Sequence, residues 1–170
     1  MRSDTTHSRL GEISSGADGS VTLRFERHLA HSPERIWAAL TESEQLAQWF
    51  MAGTLEPRRG GRLRLDSGEK GGTLGEVLAW DPPRLLTYSW VRDGGAGARS
   101  LVHWELHPDD AGDSTLLVLE HREVDRATAF DYGAGWHDFL DRLPHHLDGE
   151  DTKDWTGRYK ELLVQYRALA

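Results

Sequence analysis

Apolar residues recur along the chain at two periods, and each switch between them marks the start of a new element. Over residues 21–29, Val21, Leu23, Phe25 and Leu29 alternate with Thr22, Arg24, Glu26 and His28, the period of a half-buried strand. The turn residues Ser15, Gly16, Asp18 and Gly19 separate this run from residues 11–14, so the two segments predict an N-terminal hairpin. Arg27 interrupts the apolar face. Because burying an unpaired guanidinium is costly, it is expected to emerge at the sheet rim. At Ser32-Pro33-Glu34 the period lengthens: Ser32 suits an N-cap, Pro33 the first helical position and Glu34 the first turn, with Ile36, Trp37 and Leu40 as the apolar side. Thr41-Glu42-Ser43-Glu44 reads as a capping box that starts a second short helix through Leu46 and Trp49.

From residue 53 the period returns to two. Residues 62–66 and 73–80 predict strands around the turn cluster from Gly68 to Gly72, and Pro82-Pro83 ends the second of them. Trp80 falls on the convex parity of its strand. Residues 85–91 alternate Leu86, Tyr88 and Trp90 against Thr87 and Ser89, and a loop at Gly94 to Gly97 leads to residues 100–107, which set Val102, Trp104 and Leu106 against His103 and Glu105. A turn near Pro108 then leads to residues 115–121, with Thr115, Leu117, Leu119 and His121 on one face. A hairpin here is expected to put Trp104 across from Leu117 and Val102 across from Leu119. After Asp125, Phe130, Gly133, Trp136, Leu140, Leu143 and Leu147 follow at spacings of 3, 3, 4, 3 and 4, one stripe of a long helix facing the sheet. Gly133 predicts a gap beside the Trp136 indole, and Pro144 a kink or break. A last amphipathic helix is expected over 153–169, carrying Trp155, Tyr159, Leu162, Leu163 and Tyr166.

Composition narrows the function classes. The 170 residues suit one domain over 10–150, after a polar, aperiodic tail at 1–9 that reads as disordered and before the appended helix at 151–170. The absence of cysteine excludes disulfides, thiol nucleophiles and thiolate metal sites. No run approaches the roughly 20 apolar residues of a membrane span, and the first residues lack the apolar stretch of a signal peptide, so the expected location is cytoplasmic. The net charge of -8 is uneven, with 9 basic and 16 acidic side chains in residues 86–170. That balance disfavours nucleic acid, since Arg58, Arg59, Arg62 and Arg64 form the only dense basic run. Seven tryptophans in so short a chain raise the question of where they point.

A hairpin strand, two short helices, an antiparallel meander and a long helix make an α+β helix-grip plan, a curved sheet wrapped around a C-terminal helix. Several segments carry a family resemblance: HSPERIWAALT over 31–41, Trp49-Phe50, Gly60-Gly61-Arg62-Leu63, Gly75-Glu76-Val77, Pro82-Pro83-Arg84-Leu85-Leu86, Tyr88-Ser89-Trp90, and Gly135-Trp136 with Leu140 and Leu143. In this order and spacing the chain resembles the START-like superfamily, in the branch named after the activator of Hsp90 ATPase. It departs from that pattern at Ser32 and Met51, where proline is usual, and at Pro144. The resemblance implies a cavity between sheet and helix for an apolar molecule. The residues expected to line it are Trp49, Phe50, Leu65, Tyr88, Trp90, Val102, Trp104, Leu119, His121, Phe130, Trp136 and Leu140. The same aromatic set would also serve as a filled core.

Chemistry in the side chains is sparse. His145 and His146 are about 100° apart on a helix, His103 and His121 point to opposite sheet faces, and no ligand spacing for a metal occurs around His137. No metal or other cofactor is expected. Tyr88 and His121 are the only pocket-directed polar groups. As an acid–base pair, Tyr88 would donate to a substrate oxygen and His121 take a proton. The plainer reading makes Tyr88 an aromatic wall and His121 a strand cap. Three functions follow: a non-catalytic carrier or sensor of a small hydrophobic molecule, a cyclase- or hydrolase-like enzyme using Tyr88 and His121, and a protein-interaction module of the chaperone-regulating type that meets its partner through the C-terminal helix. A homodimer is compatible with each.

Overall fold

A computed structural model describes residues 9–68, 71–92 and 99–170. The expected tail at 1–9, apart from Arg9, and the Gly94 to Gly97 loop lie outside them. Among the described residues, eight strands form one antiparallel sheet in the order β1-β2-β8-β7-β6-β5-β4-β3. The strands are β1 (Glu12–Ser15), β2 (Val21–Leu29), β3 (Ala52–Leu55), β4 (Arg62–Asp66), β5 (Gly72–Asp81), β6 (Leu85–Arg92), β7 (Ser100–Pro108) and β8 (Thr115–Val124). Two short helices, α1 (Pro33–Thr41) and α2 (Ser43–Trp49), connect β2 to β3, and the long α3 (Ala129–Leu147) is followed by α4 (Tyr159–Arg167). The architecture is the α+β helix grip expected from the order of periods.

Local chemistry explains most of the boundaries. Ser32 Oγ accepts the Arg35 amide at 3.2 Å, with Pro33 opening α1. The capping box at Thr41 does not form: Thr41 stays in α1, its hydroxyl donating to the Trp37 carbonyl at 2.8 Å, and Glu42 precedes α2. The carbonyl of a helical turn already in place takes the hydroxyl proton and holds the side chain back along α1, away from the amides of the next helix. Pro144 neither ends nor splits α3, which runs on to Leu147. In the last turn the missing amide costs a single bond, and Gly149, at a φ of +82°, turns the chain away while its amide reaches His146.

Two register features differ from the alternation pattern. Trp104 lies across from Leu119, Val102 from His121 and Leu106 from Leu117, two residues from the expected pairing and on the same face. The connection is longer than a tight turn, because Asp109 Oδ1 collects the amides of Asp113 and Ser114. In β5 the register shifts between Val77 and Ala79. That bulge inverts the later parity, so Trp80 lies opposite Leu86 and meets Trp37 edge-on at 5.1 Å. It belongs to the concave side, not the convex one.

The core lies between the concave face and α3, and α4 extends it. The last helix begins at Tyr159, later than its amphipathic pattern suggests, because residues 151–158 form a connection anchored on α3: Asp138 Oδ1 accepts the Arg158 amide at 2.9 Å and the Trp155 indole at 3.4 Å. Leu162 and Tyr166 are buried, and the Tyr166 hydroxyl accepts the Gly11 amide at 2.7 Å while lying 2.9 Å from His137 Nδ1. The apolar face of α4 is thereby covered by its own domain. Arg27 does not emerge cleanly at the rim: its Nε and Nη2 are enclosed without hydrogen-bond partners, and its guanidinium sits 5.7 Å from the Phe25 ring centre.

Candidate functional site

Trp136 is the centre of the interior. From α3 its indole stacks on Phe50 at 5.4 Å and meets Trp90 at 5.5 Å, Trp104 at 5.7 Å and His121 at 5.9 Å. Strand alternation puts Tyr88 and Trp90 of β6, Val102 and Trp104 of β7, and Leu119 and His121 of β8 on this one face. The deep part of the grip is filled. Trp49, Leu65, Tyr88, Val102, Trp104, Leu119 and Leu140 are buried in packed core, and Phe130 packs against it partly exposed.

The two candidate proton-transfer groups are engaged inside that core. Trp136 Nε1 donates to His121 Nδ1 at 3.0 Å, and His121 Nε2 is 2.7 Å from Ser100 Oγ. Since Nδ1 accepts, the neutral ring carries its proton on Nε2 and donates it to Ser100. Ser100 Oγ in turn lies 3.4 Å from the Trp90 carbonyl. Burial pushes the His121 pKa down to about 3, so the ring is neutral near pH 7. Tyr88 accepts the Trp104 indole N–H at 3.1 Å, and burial raises its phenol pKa. His121 and Tyr88 therefore serve two indoles; neither is among the residues lining the cavity beside Trp136.

That cavity, of about 370 Å³, lies at one end of the grip, between the start of β5, the end of β6, α3 and the start of α4. Its apolar walls are Phe50, Met51, Trp90, Tyr132, Trp136 and Phe139. Three of them, Phe50, Trp90 and Trp136, belong to the set read from the sequence. Tyr132 and Phe139 flank Trp136 at i−4 and i+3, a spacing that brings them to the same side of a helix; Tyr132 also accepts the Trp90 indole N–H at 3.1 Å. The cavity opens beside Gly135, where an added Cβ would meet nothing within 4 Å. The gap expected at Gly133 is instead filled by Tyr166, whose ring would stand 3.0 Å from such a Cβ.

Polar groups are confined to the remainder of the wall: Arg92, Thr73 and Ser67 on the sheet side, Thr128 just before α3, Asp131 and Asp138 on α3, and Tyr159 on α4. Tyr159 donates to Asp131 Oδ1 at 3.1 Å, and partial burial followed by that bond raises its phenol pKa. Among the described residues no cluster of His, Asp and Glu could hold a metal ion, and no helix is long and apolar enough to cross a membrane.

A curved antiparallel sheet closed by a long helix over an aromatic interior defines the START-like helix-grip class. Within that class the chain belongs to the family described as Activator of Hsp90 ATPase homolog 1-like protein, whose profile matches residues 30–148. No curated protein shows significant similarity to it. Among solved structures it is similar to CalU16 from Micromonospora echinospora, with 26% identity, a TM-score of 0.73 and coverage of 95% of this chain and 96% of that one. A protein of Mesorhizobium loti is 30% identical, with a TM-score of 0.68 over 76% of this chain and 98% of that one. DynU16, from the dynemicin biosynthetic locus, is 25% identical with a TM-score of 0.69 over 77% of this chain and 49% of its own length.

Proposed function

We propose that this protein binds one small, largely apolar molecule in the cavity beside Trp136 and Gly135, and acts on it as a carrier or sensor without catalysis. The observation that carries this reading is the cavity: about 370 Å³ walled mainly by aromatic rings, in the range of about 300–1,000 Å³ that holds small organic ligands. The engagement of Tyr88 and His121 with the indoles of Trp104 and Trp136 supports binding over proton transfer, because a group spent on a core indole is not presented to a ligand. The origin of DynU16 in a biosynthetic locus makes a small-molecule partner the natural class. The covered face of α4 gives a chaperone-type interaction less support, since Leu162 and Tyr166 are not available to a partner.

N-phenyl-1-naphthylamine, a neutral aromatic probe whose emission rises in apolar surroundings, tests the reading. The protein should bind it saturably with one equivalent, and Gly135→Leu, which fills the open side of the cavity, should weaken binding by on the order of tenfold or more. Unsaturable binding, or full affinity in a folded Gly135→Leu variant, would exclude this cavity as the site.

A further inference from the structure

The charged groups around the cavity are not balanced in the same way on its two walls. On the α3 side both carboxylates already have donors. Asp131 accepts the Tyr159 hydroxyl at 3.1 Å, while Asp138 accepts the Arg158 amide at 2.9 Å and lies 3.9 Å from Arg142. On the sheet side stands Arg92, the last residue of β6, two positions beyond Trp90 and so on the same concave parity. Among the described residues its guanidinium makes no hydrogen bond and no ion pair with a carboxylate, in a chain whose net charge is -8. Its cross-strand partner Thr73, itself buried, adds a hydroxyl to the same wall. A planar fork of five donors at the mouth of an aromatic cavity matches an acidic oxygen pair better than a neutral group.

We infer that Arg92 is the specificity-determining residue of this cavity and that its ligand is an aromatic or polycyclic acid, with the ring system against Trp90, Trp136 and Phe139 and its anionic group at Arg92. This rests on the cavity being the binding site, as proposed above. The carboxylate of Asp131 fixes the orientation: an anion on the α3 wall would face a like charge, so the acidic end points to Arg92 at the end of β6. The rings enter first, toward Phe50 and Trp136, and the acid remains at the partly solvated rim, where it keeps some of its hydration and loses less on binding than in the closed interior.

Two probes separate this inference from the reading beneath it. 8-Anilinonaphthalene-1-sulfonate carries the phenyl-naphthylamine skeleton of the neutral probe plus a sulfonate. The wild-type protein should bind the sulfonate probe about tenfold more tightly than the neutral one, as expected for a charge-assisted hydrogen bond at a half-exposed site. Arg92→Gln should erase that difference, weakening the sulfonate probe about tenfold more than N-phenyl-1-naphthylamine, and Arg92→Lys should restore part of it. High salt should weaken the sulfonate probe alone. Equal affinities for the two probes, or a preference that survives Arg92→Gln, would overturn the role of Arg92 and leave the apolar site standing. If neither probe binds saturably, the binding reading falls and takes this inference with it.

Discussion

Gly133 and Tyr166 meet face to face: a Cβ on Gly133 would stand 3.0 Å from Cδ1 and 3.2 Å from Cε1 of the tyrosine ring. The glycine is thus the seat of α4. Two positions on, Gly135 faces open space. The two glycines of one helix should therefore respond oppositely to alanine. Gly135→Ala should stabilise the protein by up to about 1 kcal/mol, the helix-propensity difference. Gly133→Ala should lose that gain and cost about 1–3 kcal/mol for overpacking against a fully buried ring. Urea denaturation of both variants checks the contrast, and equal shifts would contradict the docking of α4.

The anchor of α4 on α3 is a second target. Asp138 Oδ1 accepts the amide of Arg158, the N-cap residue of α4, as the acid of a capping box would. Asp138→Ala should cost about 1–2 kcal/mol, and Asp138→Asn, which keeps an acceptor oxygen, markedly less. Limited proteolysis between Gly149 and Arg158 should accelerate in the alanine variant.

Acid should destabilise the fold through His121. Its pKa is 6.5 in the unfolded chain and about 3 in the native state, so the unfolded chain takes up the proton first as pH falls. The corresponding stability is fully present above pH 6.5 and drains away toward pH 3. His137, lowered to about 4 mainly by burial, acts in the same direction. Between pH 7 and pH 4 the urea midpoint should fall less steeply in His121→Gln than in the wild type. The glutamine variant should also be less stable at pH 7, because it holds the Trp136 and Ser100 partners less well.

Core and cavity should separate in the aromatic set. Trp104, 1% exposed, should cost about 3–5 kcal/mol on replacement by alanine. Tyr88→Phe deletes the acceptor of the Trp104 indole and should cost about 1–2 kcal/mol. It should leave N-phenyl-1-naphthylamine affinity intact, since Tyr88 does not line the cavity. A loss of probe affinity in Tyr88→Phe would place the ligand deeper than Trp136.

What the amino-acid sequence determined by itself was the set of faces. Alternation in β2, β6, β7 and β8 and the stripe on α3 are local consequences of backbone geometry, so Trp90, Trp104, His121 and Trp136 could be assigned to one interior before any coordinates. Ser32 and Pro33 likewise carry the start of α1 in their own chemistry. What only the tertiary structure decided depends on pairs far apart in the chain. The bulge at Val77 and Ala79 turned Trp80 inward, and no alternation pattern signals a single extra residue. Tyr166 filled the space beside Gly133, moving the cavity to Gly135, because the docking of α4 depends on Asp138, His137 and the Gly11 amide together. The roles of Tyr88 and His121 were decided the same way: their residue types allow proton transfer, but hydrogen bonds to Trp104, Trp136 and Ser100, fixed by strand register and helix placement, turn them into supports of the core.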